Sequence, residues 1–517
     1  MISRLLRWPV IVGLSIAIWR YPTTGFEQTT PDPQPTPPSH LNPSPSPPLA
    51  FTTSVLPDAA STAADAATTP SLRGAADVRQ FGARGDGMHD DGEAIAKALQ
   101  AGHGSLVFPP GVYRITRTLE VRLDERGPAC ISGSSSATLV MAGPGPAIRL
   151  IGTHSGTADP STMKASTWTR QRTPTLEGLA IAGDHPEADG VEASGTMQLT
   201  MHRVTIHQVR HALRLIERNR NLIVSDCHLY HNRGAGIFYD HVNLHQSNIV
   251  GCHISYNEAG GIVVLGGEVR NIHISGCDIE SNMSAAHPDA ANVLLDSRSG
   301  SVAEVSIVGC TIQHQSRDTD TANIRVFGNG SGARNGTTDP IQWGHITIGQ
   351  NILSDVQTNI DLHHTRGVTI VGNTMWQGYR ANLVAEDCSQ IVISSNVCER
   401  NPLYGSALEA KNGVILRRCN DCTLQGLHLH RVLESEAALL LEDCSRLQVV
   451  ACTVLDSDNV GMLLRNVTRS HIAQCLIRDD RDPMHRGSSL RVVGGHDNTF
   501  HQNVLVGDTN LEGPPEK

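Results

Sequence analysis

Asp296, Arg325, Asp361, His363 and Glu386 are the residues whose types and spacing could do chemistry. Each sits in a short apolar run, such as Leu294-Leu295-Asp296, Ile324-Arg325-Val326 or Ile360-Asp361-Leu362-His363. Side chains alternate between the two faces of an extended strand, so inward aliphatics force these charged groups outward. If the runs stack as successive coils, His363 and Glu386 fall one rung apart, close enough to shift each other's pKa. Asp296 and Asp361 fall two rungs apart, about 10 Å, near the spacing of the two carboxylates of an inverting hydrolase. Arg325 would lie between them, with a fork suited to the carboxylate of a uronic acid. In an elimination, His363 or Arg325 would take the proton α to that carboxylate, while acidic groups hold a cation such as calcium. The expected catalytic set is therefore Asp296, Asp361, His363 and Glu386. Arg325 is expected to bind substrate, with Trp343, Trp376 and Tyr379 stacking on sugar faces. The opposing reading is a solvated sheet face whose charges keep the protein soluble.

Other groups carry weaker signals. His363 and His364 are adjacent and should point to opposite faces, which makes a poor metal site, and no metal site is expected from the 25 histidines. Asp479, Asp480 and Asp482 form an acidic loop that could bind calcium, though a solvated loop is the ordinary reading. Cys419-x-x-Cys422 lacks the second such pair that zinc or redox chemistry requires.

These residues need elements to position them. A pattern of apolar, any, any, small-or-amide, any, apolar recurs along the chain. Its central position falls at Leu179, Val204, Cys227, Cys252, Cys277, Cys310, Asn351, Asn373, Asn396, Leu427, Cys452, Cys475 and Asn503. Most intervals are 22–25 residues, and the longer ones imply inserted loops. Such a period marks a solenoid, in which no coil buries its apolar face alone and stacking supplies the core. About thirteen coils at ~4.8 Å each would make a rod roughly 60 Å long. The central positions should line an inward column, with Asn351, Asn373 and Asn396 forming an amide ladder. Cys388, Cys419 and Cys444 form a second column, close enough for a disulfide in an exported protein.

The sequence has 517 residues, 39% of them apolar and 4% aromatic, with 48 Gly and a formal charge of −10. That charge argues against nucleic acid, whose binders carry a basic face. Arg4 and Arg7 precede the apolar run Trp8–Trp19, too short to span a bilayer and shaped like a signal peptide. Residues 1–25 therefore read as a signal peptide or uncleaved anchor, and 26–75 as a Pro-, Ala-, Ser- and Thr-rich linker. The remainder divides into an N-terminal cap (76–125), the coils (126–508) and a tail (509–517). Secretion, or residence at the cell surface or in the periplasm, follows.

Within the cap, Phe81-Gly82-Ala83, Gly85-Asp86-Gly87, Asp90-Asp91, Ala94-Ile95, Phe108-Pro109 and Gly111-Val112-Tyr113 resemble the N-terminal signature of the pectate lyase superfamily. The resemblance implies an all-β, right-handed parallel β-helix closed at its start by a short helix. Asp90 and Glu93 are placed to form a capping box for that helix. It also implies that the outer face bearing Asp296 to Glu386 lines a substrate groove. The ordered catalytic motifs of polygalacturonases are missing, and Phe238-Tyr239-Asp240-His241 only echoes a pectate lyase segment. Ala381–Asn396 resembles a coil of inulin fructotransferases, too briefly to carry function. The expected function is an exported polysaccharide-active enzyme, a lyase or glycoside hydrolase acting on a uronic-acid-containing chain. The alternative is a non-catalytic glycan-binding or structural surface rod.

Overall fold

A computed structural model describes residues 74–512, apart from 158, 315–319, 330–341, 404–408 and 483–485. The leader, nearly all of the linker, the tip of the insertion between Gly328 and Trp343, and residues 513–517 lie outside the described residues.

Every coil is built from up to three short parallel strands, which stack rung upon rung into three faces. Face one includes Ala322–Phe327, Val356–His363, Gly378–Glu386 and Val414–Arg417. Face two includes Gly344–Gly349, Arg366–Val371 and Ser389–Ser394. Face three holds sixteen strands in one parallel sheet, among them Ile352–Leu353, Thr374–Met375 and Val397–Cys398. The last thirteen of these, from Ala180–Gly183 to Val504–Val506, are the thirteen coils of the sequence repeat. The first three, Asp86–Asp90, Gly111–Ile115 and Ala137–Met141, belong to the cap and its continuation. Thr509–Glu512, expected as tail, adds one more strand to face one beside Ser488–Val493.

The repeat pattern has a local cause. The residue before each of the thirteen central positions has φ between 52° and 67°, in the left-handed region. One such residue turns the chain from face two into face three and points its successor into the corner. Gly fills six of the thirteen at little steric cost, while Gln350, Ala451 and others bear a Cβ there, at roughly 1–2 kcal/mol each. Where the inward residue is Cys or Asn, it then hydrogen-bonds a carbonyl of the preceding rung. Asn373 Nδ2 donates to Ile348 O at 3.0 Å, and Cys252 Sγ donates to Val224 O at 3.5 Å. Cys and Asn share a column because both are small donors for a buried carbonyl.

The amide ladder forms as expected, with Asn351 Nδ2 donating to Asn373 Oδ1 (3.1 Å) and Asn373 Nδ2 to Asn396 Oδ1 (2.9 Å). A second, longer ladder runs through Asn232, Asn257, Asn282, Asn292, Asn323, Asn359 and Asn382 at the corner entering face one. Inside, Ile324, Val326, Ile360, Leu362, Leu383 and Ala385 stack with at most 2% exposure. All twelve cysteines are free thiols, so the Cys388–Cys419–Cys444 column packs as buried hydrophobes without a bridge.

At the start, the helix Gly92–Ala101 buries Ile95, Ala98 and Leu99 against the first coils. The capping box does not form. Asp91 is the N-cap residue, but its carboxylate turns back to accept Arg84 N (2.7 Å) and Gly85 N (3.0 Å), fixing the glycine loop. Glu93 instead pairs with Lys97 at 2.6 Å.

Candidate functional site

The outward column of face one has the register expected from the sequence. Asp240, Leu265, Asp296, Phe327, His363, Glu386, Arg417 and Glu442 follow one another rung by rung. Arg325 and Asp361 are register partners in the neighbouring column. Register makes neighbours; it does not decide which charges pair.

Asp361 is the centre of the arrangement. It is 2% exposed and accepts Arg325 Nε on one oxygen (2.9 Å) and His363 Nε2 on the other (3.0 Å). Burial opposes its ionisation, yet the His363 hydrogen bond and the Arg325 charge hold Asp361 below the ordinary carboxylate value. The same hydrogen bond raises His363 above the usual imidazole value against its own partial burial, with Glu386 adding attraction. His363 thus favours the imidazolium, stacked on Phe327 with ring centroids 5.4 Å apart. Its Nδ1 lies 4.0 Å from Glu386 Oε2, and both side chains reach solvent at 25% and 22% exposure.

Two expected roles do not survive this geometry. Arg325 cannot offer its fork to a sugar carboxylate, because the side chain is 3% exposed and already holds Asp361 and the carbonyl of Asp320 (2.9 Å). Asp296 is not half of a hydrolytic carboxylate pair with Asp361. It is 1% exposed and wrapped by Arg298, which donates its backbone N–H (2.8 Å) and its guanidinium (2.7 Å from Nη2). Arg298 also lies 4.0 Å over the Phe327 ring, so a guanidinium and an aromatic stand between Asp296 and His363.

The three aromatics flank the wall. Trp376 and Tyr379 lie where the chain enters the strand Gly378–Glu386, with the Trp376 carbonyl accepting Asn359 Nδ2 at 3.1 Å. Trp343 lies beyond the opposite end, where its carbonyl accepts Thr365 Oγ1 (2.6 Å) and Arg270 covers its ring at 4.8 Å. Further along, Glu386, Arg417, Glu442 and Arg465 form an alternating ladder with contacts of 3.1, 2.8 and 2.6 Å.

On face three, His253, Asp278 and Glu280 bring three donor atoms within 4.8 Å of one another and could hold a cation. The sequence signal was the 25-residue step from His253 to Asp278, one coil of the repeat. The acidic loop is not a comparable cluster: Asp479 is taken by Arg481 (2.8 Å) and Asp480 by Arg478 (2.5 Å).

Comparison with known families agrees with the coil geometry. Residues 164–312 match the right handed beta helix region family, and residues 75–143 match the family described as rhamnogalacturonase A/epimerase, pectate lyase-like. The chain is a pectate-lyase-like right-handed β-helix protein. Residues 304–512 of this β-helix also match the family described as periplasmic copper-binding protein (NosD). Among the described residues of that match, no three His, Cys, Asp or Glu side chains come together as a cation cluster, and the cysteines are buried. No curated protein matches the chain. Solved structures similar to this β-helix protein include tailspike protein 3 of bacteriophage CBA120, 14% identical with a TM-score of 0.45, covering 82% of this chain. This chain spans 61% of that tailspike. The N-terminal fragment of gene product 12 of bacteriophage Phi29 is 13% identical, with a TM-score of 0.49, covering 82% of this chain and 70% of its own. The A-module of a mannuronan C-5 epimerase from Azotobacter vinelandii is 11% identical, with a TM-score of 0.37, covering 85% of this chain and 100% of its own.

Proposed function

We propose that the protein acts on a polysaccharide outside the cytoplasm, with the face-one wall as its sugar-binding surface and His363 as its acid. The observation that carries this reading is the Arg325–Asp361–His363 relay, buried at its root and open to solvent at Glu386. A cation locked behind a carboxylate keeps that carboxylate ionised, and the ionised carboxylate keeps the imidazole protonated and oriented. Glu386 is then the partly buried carboxylate beside the acid, with Arg417 on its other oxygen at 3.1 Å.

The closeness of acid and base suits elimination, in which a proton leaves and arrives on one side of the sugar. Glu386 would take the proton on the carbon α to a uronate carboxylate, and the electron pair would form the ring double bond. The bond to the glycosidic oxygen breaks as that oxygen takes the His363 proton. Hydrolysis by paired carboxylates has no support, since Arg298 occupies Asp296. The match to a periplasmic family and the basic, apolar N-terminus support the extracytoplasmic location.

The test is a panel of uronate-containing and neutral polysaccharides assayed for unsaturated ends and for reducing sugar. His363→Ala should lower turnover by about 10²–10⁴-fold on the substrate that is cleaved. Unchanged turnover would remove His363 from the chemistry. A second reading, a glycan-binding rod without catalysis, is favoured by the closed ladder from Glu386 to Arg465, whose charges satisfy one another. Glycan binding with no product from any member of the panel would select it.

A further inference from the structure

The corner between face one and face two carries a cavity of about 750 Å³ at the rungs of Arg218, Asn243 and Arg270. Its roof is the inserted segment Gly152–Thr157, and its floor is the start of the face-two strands. Several outward arginines of these coils are met by carboxylates. Arg149 and Arg214 share Glu192, Arg210 has Asp189, and Arg298 has Asp296. At this corner they are not. Among the described residues, Arg218, Arg220 and Arg270 make hydrogen bonds only to neutral groups.

Arg218 Nε donates to His154 Nε2 at 3.3 Å and its Nη1 to Asn243 Oδ1, while its Nη2 is buried without a partner. Arg220 Nη1 donates to Thr157 O at 3.0 Å, and its Nε is likewise buried and unpartnered. Arg270 donates to Val269 O (2.8 Å) and Ser301 O (2.7 Å) and lies against Trp343. Burial and the neighbouring Arg220 lower the pKa of Arg218, the effect of a half-buried cation lacking an anion. His154, 3% exposed, is pushed down to about 4 by burial, then by Arg218 and Arg220, so it is neutral near pH 7 and neutralises nothing. His245 is lowered by burial, then by Arg218, Arg270 and Arg220, with Glu304 opposing.

Carboxylates are present at the rim. Glu217 is exposed, Glu268 accepts Asn243 Nδ2 at 2.9 Å, and Asp159 accepts Ser161 N at 2.8 Å. None is within ion-pair distance of the three guanidinium groups. Orphan guanidinium donors beside an open cavity call for an oxyanion, because a buried donor left without an acceptor loses the hydrogen bonds it made to water.

We propose that this corner is an oxyanion-binding site, for a carboxylate, sulfate or phosphate group held by Arg218 and Arg270. The oxyanion would arrive free or as the acidic group of a sugar chain. The site shares no residue with the Arg325–Asp361–His363 relay, so it stands or falls separately.

Calorimetric titration of the full chain with sodium sulfate, a galacturonate hexamer and a neutral glucose hexamer tests it. Sulfate or the acidic hexamer should bind, more weakly as salt rises, and the neutral hexamer should not compete. Arg218→Gln and Arg270→Gln should each weaken binding about tenfold or more, with Arg218→Lys in between because it keeps the charge and loses the fork. Binding of the acidic hexamer alone assigns the site to sugar chains, and binding of sulfate as well assigns it to small anions. His363→Ala should bind the anion like the unaltered protein, which separates this site from the proposed chemistry. Failure of both anionic probes to bind, or wild-type affinity in a folded Arg218→Gln protein, overturns the proposal.

Discussion

Arg325 and Arg218 both project from the outside of the same β-helix, yet one is held by a buried carboxylate and the other by a neutral imidazole and an amide. On the wall, Asp361 neutralises Arg325 and turns its second oxygen to His363, so the pair is complete without a ligand. At the corner, the cations are desolvated and no carboxylate lies within ion-pair distance, Glu304 acting on Arg270 only from further off. Counting charged residues would rate the two regions alike. Their partners separate a positioning device from a place where something is to be bound.

The comparison is broken most forcefully by Asp361→Ala. That variant leaves Arg325 as a buried cation, and breaking such a pair costs about 3–5 kcal/mol. Urea unfolding should show a loss of that order. A loss near zero would mean that the wall around Arg325 relaxes into solvent and that the two regions are alike after all.

Next comes the response to pH, in which His363 on the wall and His154 at the corner should act with opposite signs. The raised value of His363 gives stability that is full below its ordinary 6.5 and lost as pH rises through the raised value. The lowered value of Asp361 gives stability present above 3.8 and lost as pH falls through the lowered value. At the corner, His154 is neutral in the fold, so stability should fall as pH drops from 6.5 toward its value of about 4. Stability measured from pH 4 to 9 should show both limbs, and His154→Gln should make the acid one shallower without removing it, because His211 is also lowered to about 4.

The smallest effect is expected from Arg218→Gln on stability. No ion pair is lost, so the change should stay within ~0.5 kcal/mol or favour the fold. Destabilisation as large as that of Asp361→Ala would show that Arg218 has a partner after all.

The sequence carried the register because the period is set by the corners. A left-handed residue followed by a small inward donor recurs at Asp226-Cys227, Gly372-Asn373 and Gln474-Cys475 alike, and that fixes which residues stack. The column from Asp240 to Glu442 was legible for that reason. Pairing within the column was not. Arg298 reaches Asp296 because the long strand Ala291–Val308 runs from face one into face two, a bend that two-residue alternation does not describe. The corner cavity was hidden for a different reason: its roof at Gly152–Thr157 belongs to an insertion outside the repeat. The first three rungs escaped the count because they belong to the cap and its continuation, ahead of the repeat. The long asparagine ladder was visible only in fragments, as the Asn that opens Asn292-Val293, Asn323-Ile324 and Asn359-Ile360.

The unbridged thiols have a practical consequence. Cys227, Cys252, Cys277, Cys310, Cys388, Cys419, Cys444, Cys452 and Cys475 are spaced along the axis, all buried and none cross-linked. Each becomes reactive only when its own stretch of the solenoid frays. A pulse of alkylating reagent, followed by mapping of the modified sites, would read out from which end the rod unzips and how far each excursion travels.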